Sequence, residues 1–338
     1  MNERYSRQER FQPIGKKGQA GIRDAHILIV GAGALGAANA EMLVRAGVGR
    51  LTMIDRDYVE ISNLHRQHLY SESDAIAKLP KTIAAEKRLK EINSEVIVES
   101  VVMDVNGQNI EEHVSGKTII IDAVDNLETR LIVNDAATKH NIPFIVGACV
   151  SSYGLGFPMI PGNGPCLHCL IDHLPAQSET CDTVGVIGPI VQMVAAHQVT
   201  ASLKFITGKS LPPILHSMDI WKNERAEIHV GMLKNPSCSS CGTDPVFPYL
   251  SLENQTKAEV LCGRNTVQIR AGAQRIFQLE DMGKRLAELS CEEIVQNQYL
   301  LSCRYDGYRI VLFKDGRALV HGTNDLYKAR AVFQRITG

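Results

Sequence analysis

Apolar positions along this chain change their rhythm twice. His26-Ile27-Leu28-Ile29-Val30 is an unbroken apolar run ending at Gly31, which predicts a fully buried strand. Leu35, Ala38, Met42 and Ala46 then recur at helical spacing up to Gly47, predicting a helix from Leu35 to Ala46 with glycine as its stop. Leu51-Thr52-Met53-Ile54 predicts a second strand ending at Asp55, which completes a β-α-β unit. Pro80 sits where a first-turn proline belongs, and the helix it opens should run to Ile92. Glu95 to Val102 alternates as a strand. Thr118 to Val124 predicts another buried strand, followed by Asp125-Asn126, a helix from Glu128 to Lys139, and a strand from Pro143 to Val150. Strands alternating with helices imply a parallel sheet covered on both faces.

After residue 150 the texture differs. Gly154, Gly156, Pro158, Pro161, Gly162, Gly164 and Pro165 mark turns and antiparallel strands. Pro189 opens a largely apolar helix to Ile206, stopped by Gly208, whose apolarity predicts burial in the core or in a subunit interface. A second change falls near Pro245–Pro248. Beyond it, Thr266–Arg270, Tyr299–Tyr305, Tyr308–Phe313 and Ala318–His321 read as strands. Asp306-Gly307 and Asp315-Gly316 are hairpin signals. Leu279–Leu289 and Leu326–Ile336 read as helices. The expected fold is therefore α/β: a Rossmann-like mixed sheet with helices on both faces, an antiparallel second half, and a small C-terminal α+β module. The expected domains are residues 1–248, with a nucleotide half at 1–150 and a second half at 151–248, and residues 255–338.

Composition narrows the function classes. In 338 residues, 36 lysines and arginines face 37 acidic residues, a net charge of -1, which offers no general pull toward nucleic acid or a membrane surface. No run approaches eighteen apolar residues, so no membrane span is expected. The first twenty residues are charged and lack an apolar core, so no export signal is expected, and a cytoplasmic location follows. In that compartment nine cysteines point to thiols or metal ligands rather than a disulfide frame.

The chemistry begins at Gly31-Ala32-Gly33-Ala34-Leu35-Gly36. A GxGxxG alone is weak, but this one lies between a strand and a helix, its proper context for binding a nucleotide. Gly31 permits the turn, Gly33 lets backbone approach phosphate, and Gly36 allows close helix packing. Asp55 ends the next strand, where a carboxylate accepts from ribose hydroxyls. The bland alternative is a structural glycine turn. Asp57, Asn63 and Arg66 follow in a polar segment that, by itself, reads as a solvated loop. Lys81 stands at a helix start, where the dipole disfavours a cation, and so hints at an anionic partner. Asp125-Asn126, at the end of a buried strand, suits Mg²⁺ beside a triphosphate or a helix N-cap, one role for each residue.

Cys166-Leu167-His168-Cys169 and Cys238-Ser239-Ser240-Cys241 form two C-x2-C knuckles. Two knuckles fill a closed four-thiolate zinc site, although their separation exceeds finger spacing and redox dithiols remain an alternative. His168 and His173 are spare candidate ligands. Cys181 lies in a polar loop before Pro189 and reads equally as a nucleophile or an incidental thiol. Buried structural roles suit Cys149, Cys262, Cys291 and Cys303.

Taken together these features resemble the MoeB/ThiF family (HesA/MoeB/ThiF), bacterial relatives of E1 activating enzymes. The residues are Arg4-Tyr5-Ser6-Arg7-Gln8, the glycine loop, Asp55 through Gln67, Lys81, Asp122 through Asn126, both knuckles, and Cys181 before Gly185–Pro189, over roughly residues 3–247. The resemblance implies an adenylyltransferase that uses ATP and Mg²⁺ on the C-terminal Gly-Gly of a ubiquitin-like sulfur carrier. It places Asp55 on the ribose, Asn63, Arg66 and Lys81 on the phosphates, and Asp125 on Mg²⁺. It makes Arg7 a finger reaching into a partner subunit's site, hence a homodimer. It assigns Cys166, Cys169, Cys238 and Cys241 to zinc and Cys181 to an acceptor thiol. A sulfurtransferase or cysteine desulfurase would be a further partner. The molybdopterin-type carrier is the first expectation and the thiazole-type carrier the alternative. Residues 255–338 lack a rhodanese-type cysteine loop and look like the short tail of Bacillus-type members, read here as a passive stabilising module. An NAD(P)-dependent oxidoreductase is the remote alternative; it leaves Arg7, Arg66, Lys81 and the Asp-Asn pair unexplained. A non-catalytic scaffold docking a ubiquitin-like partner is the third.

Overall fold

Apolar runs become the inner strands of an eight-stranded sheet in the computed structural model, which describes residues 3–171, 184–251, 258–261, 265–270, 276–289 and 291–337. The strands are β1 (His26–Val30), β2 (Arg50–Asp55), β3 (Ile97–Val102), β4 (Ile119–Asp122), β5 (Phe144–Val150), β6 (Tyr153–Met159), β7 (Ile214–Asp219) and β8 (Glu224–His229), in the order β3-β2-β1-β4-β5-β6-β7-β8. From β3 to β5 all pairs are parallel, and from β5 to β8 all are antiparallel.

Helices cover both faces. In chain order they are α1 (Ser6–Arg10), α2 (Gly15–Asp24), α3 (Ala34–Ala46), α4 (Glu72–Ile76), α5 (Lys81–Ile92), α6 (Ile110–Val114), α7 (Leu127–Lys139), α8 (Leu167–Ile171) and α9 (Gly188–Ile206). Because side chains alternate along a strand, β1 divides itself between two cores. Ile27 and Ile29 join Leu43, Leu89 and Val194 of α3, α5 and α9, whereas Leu28 and Val30 join Ile110, Ile132 and Val133 of α6 and α7. The apolar face of α9 is spent inside this chain: Ile190, Val191, Val194 and Ala195 are fully buried as it packs on α3, β5 and β6.

Three local readings change. Gly154, Gly156 and Pro158 lie within β6 rather than in turns. Gly154 is required there because an added Cβ would run into Val194 and Ile190 of α9. Pro80 stands at the N-cap of α5 instead of inside its first turn. The strand predicted to Val124 leaves the ladder at Asp122, since the Asp122 carboxylate turns back to accept from the Val124 amide. The elements missing from the pattern are short or polar, such as α2, where only Gly18, Gln19 and Ile22 are buried.

Two compact units divide the chain, one formed by residues 1–177 with 186–255 and the other containing residues 256–338. The second holds an antiparallel sheet of β9 (Ala258–Leu261), β10 (Thr266–Arg270), β11 (Glu292–Gln296), β12 (Leu300–Tyr305), β13 (Tyr308–Phe313) and β14 (Arg317–His321), ordered β11-β12-β13-β14-β10-β9. Helices α10 (Leu279–Glu288) and α11 (Leu326–Thr337) place Leu286, Val332 and Ile336 against Val267, Leu301 and Ile310. Asp306 and Gly307 both take positive φ, at 51° and 79°, as a two-residue hairpin of the primed kind requires.

Candidate nucleotide site and metal centre

The chain leaves β1 to build β2 on one side and later returns to build β4 on the other. The crevice beyond the carboxyl ends of β1 and β4 is therefore a topological switch point, where open α/β sheets bind ligands. The glycine loop opens from β1 into that crevice, and Asp122 through Asn126 close it from β4.

The three glycines have separable reasons. Gly31 has φ +97°, donates its amide to the Ile54 carbonyl at 2.7 Å, and leaves no room for a Cβ beside the Ala123 carbonyl. Gly36 lies on the Gly31 carbonyl, so only glycine lets α3 pack that closely. Gly33 is different. Its φ is an ordinary -73°, and the nearest atom an added Cβ would meet is Gln67 Nε2 at 3.9 Å. Nothing in the fold demands glycine there, so the open face of Gly33 is free for a ligand at the amino end of α3.

Asp55 supports the loop from the end of β2. Its carboxylate accepts the Ala32 amide at 2.5 Å and the Asp57 amide at 2.6 Å. Burial pushes the carboxyl above the usual carboxylate range, while the Lys81 ammonium pulls it back down. Lys81 is buried at the first residue of α5, and its Nζ lies 3.0 Å from Asp57 Oδ2. Asp57 is thus an anionic partner of this helix-start lysine. The same lysine neutralises an otherwise acidic corner next to the loop.

Asn63 closes the short turn that carries the arginine: its carbonyl accepts from the Arg66 and Gln67 amides at 3.1 and 3.0 Å. Arg66 is half-buried, and its guanidinium donates to the Ser62 carbonyl at 3.2 Å. Two residues of this segment carry no role in the sequence reading. Gln67 is 3% exposed with its Oε1 lacking a hydrogen-bond partner among the described residues, and Tyr70 donates to the Ala32 carbonyl at 2.5 Å.

At the end of β4 two acids separate by burial. Asp122 is 1% exposed and paired with Arg130 at 2.6 Å, while Arg130 also donates to the carbonyls of Val124 and Gly147 at 2.9 and 3.2 Å. Burial holds the Asp122 carboxyl above its ordinary range, with Arg130 opposing. Asp125 is exposed at the crevice, the placement a divalent-ion ligand needs. Asn126 accepts the Thr129 amide at 2.8 Å as the N-cap of α7. From beneath, Gln198 of α9 donates to the carbonyls of Asp122 and Ile145 at 2.7 and 2.9 Å and accepts from Asn39 of α3 at 2.8 Å. This buried amide ties the two lips of the crevice together, and no pattern in the sequence marks it.

The four knuckle cysteines converge. Cys166–Cys169, Cys166–Cys238 and Cys169–Cys241 sulfurs lie 4.0, 3.7 and 3.5 Å apart, too far for a disulfide. A tetrahedral ion with a metal–sulfur bond of about 2.3 Å would space its sulfurs about 3.8 Å apart, so the set fits zinc. The thiols also share protons unevenly. Hydrogen bonding from Cys166 pushes Cys241 down to about 5, while Cys241 and burial push Cys166 well above the usual thiol range. Around them α7 supplies Asn134, which accepts the Leu167 amide at 2.9 Å, and Asp135, which accepts the Tyr249 amide at 3.0 Å. His168 Nδ1 faces Ser239 and Ser240 hydroxyls at 3.2 and 3.3 Å, an outer-layer position.

The glycine loop, Asp55, Asp125 and Asn126 thus stand at the carboxyl ends of neighbouring strands, with Asp57 and Lys81 beside Asp55 and with Asn63 and Arg66 on the segment that Tyr70 joins to Ala32; the four cysteines form a separate centre. Arg7 is exposed on α1 and is not among the crevice residues described above. Cys181, Cys262 and His173 lie outside the described residues. A groove of about 510 Å³ lined by Tyr5, Glu9, Arg23 and Glu95 occurs at the opposite, amino ends of the strands. Two carboxylates against one arginine do not suit a polyphosphate there.

The ThiF family profile matches residues 5–240. This chain belongs to the ThiF family. Its enzymatic class is adenylyltransferase, with the E1-like Rossmann sheet described above. Over all 338 residues, and all of the relative, it is 55% identical to the sulfur carrier protein ThiS adenylyltransferase of Bacillus subtilis. It is 34% identical over 72% of this chain and 92% of the relative to the sulfur carrier protein adenylyltransferase of Thermus thermophilus. Among solved structures, E. coli MccB with AMPCPP and MccA aligns at TM-score 0.61 and 25% identity, covering 71% of this ThiF-family chain and 75% of that one. Among the described residues no helix is long and apolar enough to cross a membrane.

Proposed function

We propose that this protein adenylates the C-terminal Gly-Gly carboxylate of a ubiquitin-like sulfur carrier, forming an acyl-adenylate and releasing pyrophosphate. The observation that carries the reading is the company kept by the glycine loop. Asp55 hydrogen-bonds the loop, the buried Lys81 stands beside Asp55 and Asp57, the exposed Asp125 follows the adjacent strand β4, and Arg66 belongs to the segment that Tyr70 ties to Ala32. Hydride transfer would need the loop and Asp55 but none of the cations. Attack on the α-phosphorus needs them, because an ionised carboxylate must approach a polyanion.

In the reaction, a carrier carboxylate oxygen bonds to the α-phosphorus and the bond from that phosphorus to the bridging oxygen breaks, leaving pyrophosphate. No side-chain base is required, since the nucleophile arrives ionised. Arg66 and Lys81 screen the repulsion and hold the charge as it shifts to pyrophosphate. The Asp55 carboxylate uses one acceptor direction on each oxygen for a backbone amide and keeps others for ribose hydroxyls. Asp125 and the phosphates would hold Mg²⁺, which supplies further charge neutralisation when bound. Arg7, on its exposed helix, is the residue proposed to complete the site of a second copy in a homodimer. The four cysteines would hold structural zinc.

Sequence resemblance alone ranks the molybdopterin-type carrier first. The full-length Bacillus subtilis relative, named for ThiS, supports reversing that order, and we place the thiazole-type carrier first. Purified protein with ATP, Mg²⁺ and each candidate carrier should catalyse carrier-dependent pyrophosphate exchange, fastest with the thiazole-type protein. Equal or greater exchange with the molybdopterin-type carrier reverses the ranking, and no exchange with either sinks the reading. Arg66→Ala should slow exchange by about 30-fold to 1,000-fold, corresponding to the loss of about 2–4 kcal/mol from one charge-stabilising donor.

A further inference from the structure

Both ends of the Ala32 peptide segment are held by side chains from other parts of the chain. Its amide donates to Asp55 at 2.5 Å and its carbonyl accepts from the Tyr70 hydroxyl at 2.5 Å. Ala32 is fully buried and Tyr70 is 8% exposed, so the tyrosine bond is shielded from bulk water. Asp55 belongs to β2. Tyr70 belongs to the segment that carries Asn63 and Arg66, and that segment is one continuous piece. Asn63 accepts from Arg66 and Gln67, Gln67 accepts from Tyr70 at 3.2 Å, and Ser71 opens α4 with a reciprocal cap to Asp74. Gln67, one turn before Tyr70, is the side chain nearest the open face of Gly33, 3.9 Å from where a Cβ would stand. The arginine segment thus meets the glycine loop through the directional bond from the Tyr70 hydroxyl to Ala32.

We propose that Tyr70 is a positioning residue for the nucleotide: its hydroxyl locks the Ala32 carbonyl to the segment carrying Arg66, so that the loop amides and the guanidinium meet the phosphates as one unit. This rests on the adenylation reading, because it assumes that Arg66 and the loop share a phosphate ligand. The phenol is suited to the task. Burial, then the charges of Asp55 and Asp74, push its ionisation well above the ordinary tyrosine range, so it remains a donor.

The test is ATP affinity by titration calorimetry, without carrier, alongside pyrophosphate exchange with it. Tyr70→Phe keeps the ring and removes the bond; it should weaken ATP binding and raise KM for ATP about fivefold to tenfold, with a smaller change in kcat. Ser202→Ala removes a comparable buried hydroxyl bond to the Gln198 carbonyl, and should lower thermal stability while leaving ATP affinity unchanged. In an Arg66→Ala background the Tyr70→Phe effect should shrink below twofold; full additivity, or a Tyr70→Phe affinity within twofold of wild type, overturns the proposal. Should Tyr70→Phe fail to fold, hydrogen exchange on the wild type decides: ATP must protect residues 31–36 and 63–70 together, and protection of the loop alone overturns it. No ATP binding by the wild type overturns both readings. ATP binding that depends on Tyr70 without any carrier-dependent exchange sinks the adenylation reading and leaves the tether standing.

Discussion

Gly31 and Gly33 stand two residues apart in one motif and owe their glycine to different partners. At Gly31 the protein itself forbids a side chain, through positive φ and the Ala123 carbonyl. At Gly33 only a ligand would. Gly33→Ala should therefore keep the wild-type melting temperature within about 2 °C and lose most ATP affinity, whereas Gly31→Ala should lose both; an alanine at 33 that binds ATP normally would put the phosphates elsewhere. Lys81 shows the opposite combination of roles. Removing its charge takes away the ammonium that Asp57 faces at 3.0 Å and that opposes the raised ionisation of Asp55. Lys81→Met should cost about 3–5 kcal/mol in denaturant unfolding as well as ATP binding, while Arg66→Ala, on a half-buried turn, should leave stability nearly intact. Equal stability of the two variants would refute the view that Lys81 is a structural counter-ion.

At the scale of elements, α7 joins the two centres. Asn126 caps it at the crevice, Arg130 one turn on pairs with Asp122, and Asn134 one turn further receives the first cysteine knuckle. This i, i+4 series is a polar stripe in the sequence and cannot be told there from a solvated face; only the strand and knuckle it meets give it meaning. Strand β1 carries another such case. His26 lies 2.8 Å from the Thr52 hydroxyl of β2, and burial, then Lys117, lower its ionisation from 6.5 to about 4. A histidine held neutral in the fold but free to protonate when unfolded weakens the fold as pH falls from about 6.5 toward 4, because the unfolded chain binds more protons in that window. Unfolding free energy should drop between pH 7 and pH 5, and His26→Gln should reduce the drop. An unchanged pH slope in the variant would remove His26 from the account. Asp55 and Asp122, whose ionisation burial raises, act in the opposite direction, so the comparison with the variant is what isolates the histidine.

For the whole molecule, the four-cysteine cluster closes a long excursion of chain. Cys166 and Cys238 are 72 positions apart, and between them run α8, α9, β7 and β8. Closing so long a loop is costly in chain entropy, and an ion bound by the four thiols would tie its ends against α7. One zinc per chain is expected by metal analysis, and Cys238→Ser should lose the metal together with cooperative unfolding of residues 1–255. A metal-free protein that still unfolds cooperatively would leave the four thiols without a structural ion.

By itself the sequence determined the longer strands and helices from residue 26 to 150, though not the five-residue α4 and α6, along with the glycine loop, the Asp-Gly hairpin and the two cysteine pairs. All of these are local: apolar period, turn chemistry and ligand spacing act over a few residues, and neighbours in sequence are neighbours in space. Tertiary structure alone decided that Asp57 receives Lys81, that Arg130 neutralises Asp122, that Gln198 joins Asn39 to the ends of β4 and β5, and that Tyr70 reaches Ala32. Those pairs are separated by 8 to 159 positions or meet only because parallel strands bring distant carboxyl ends side by side. A buried polar side chain has to find its partner wherever the packed chain provides one, and no periodicity along the sequence records where that will be.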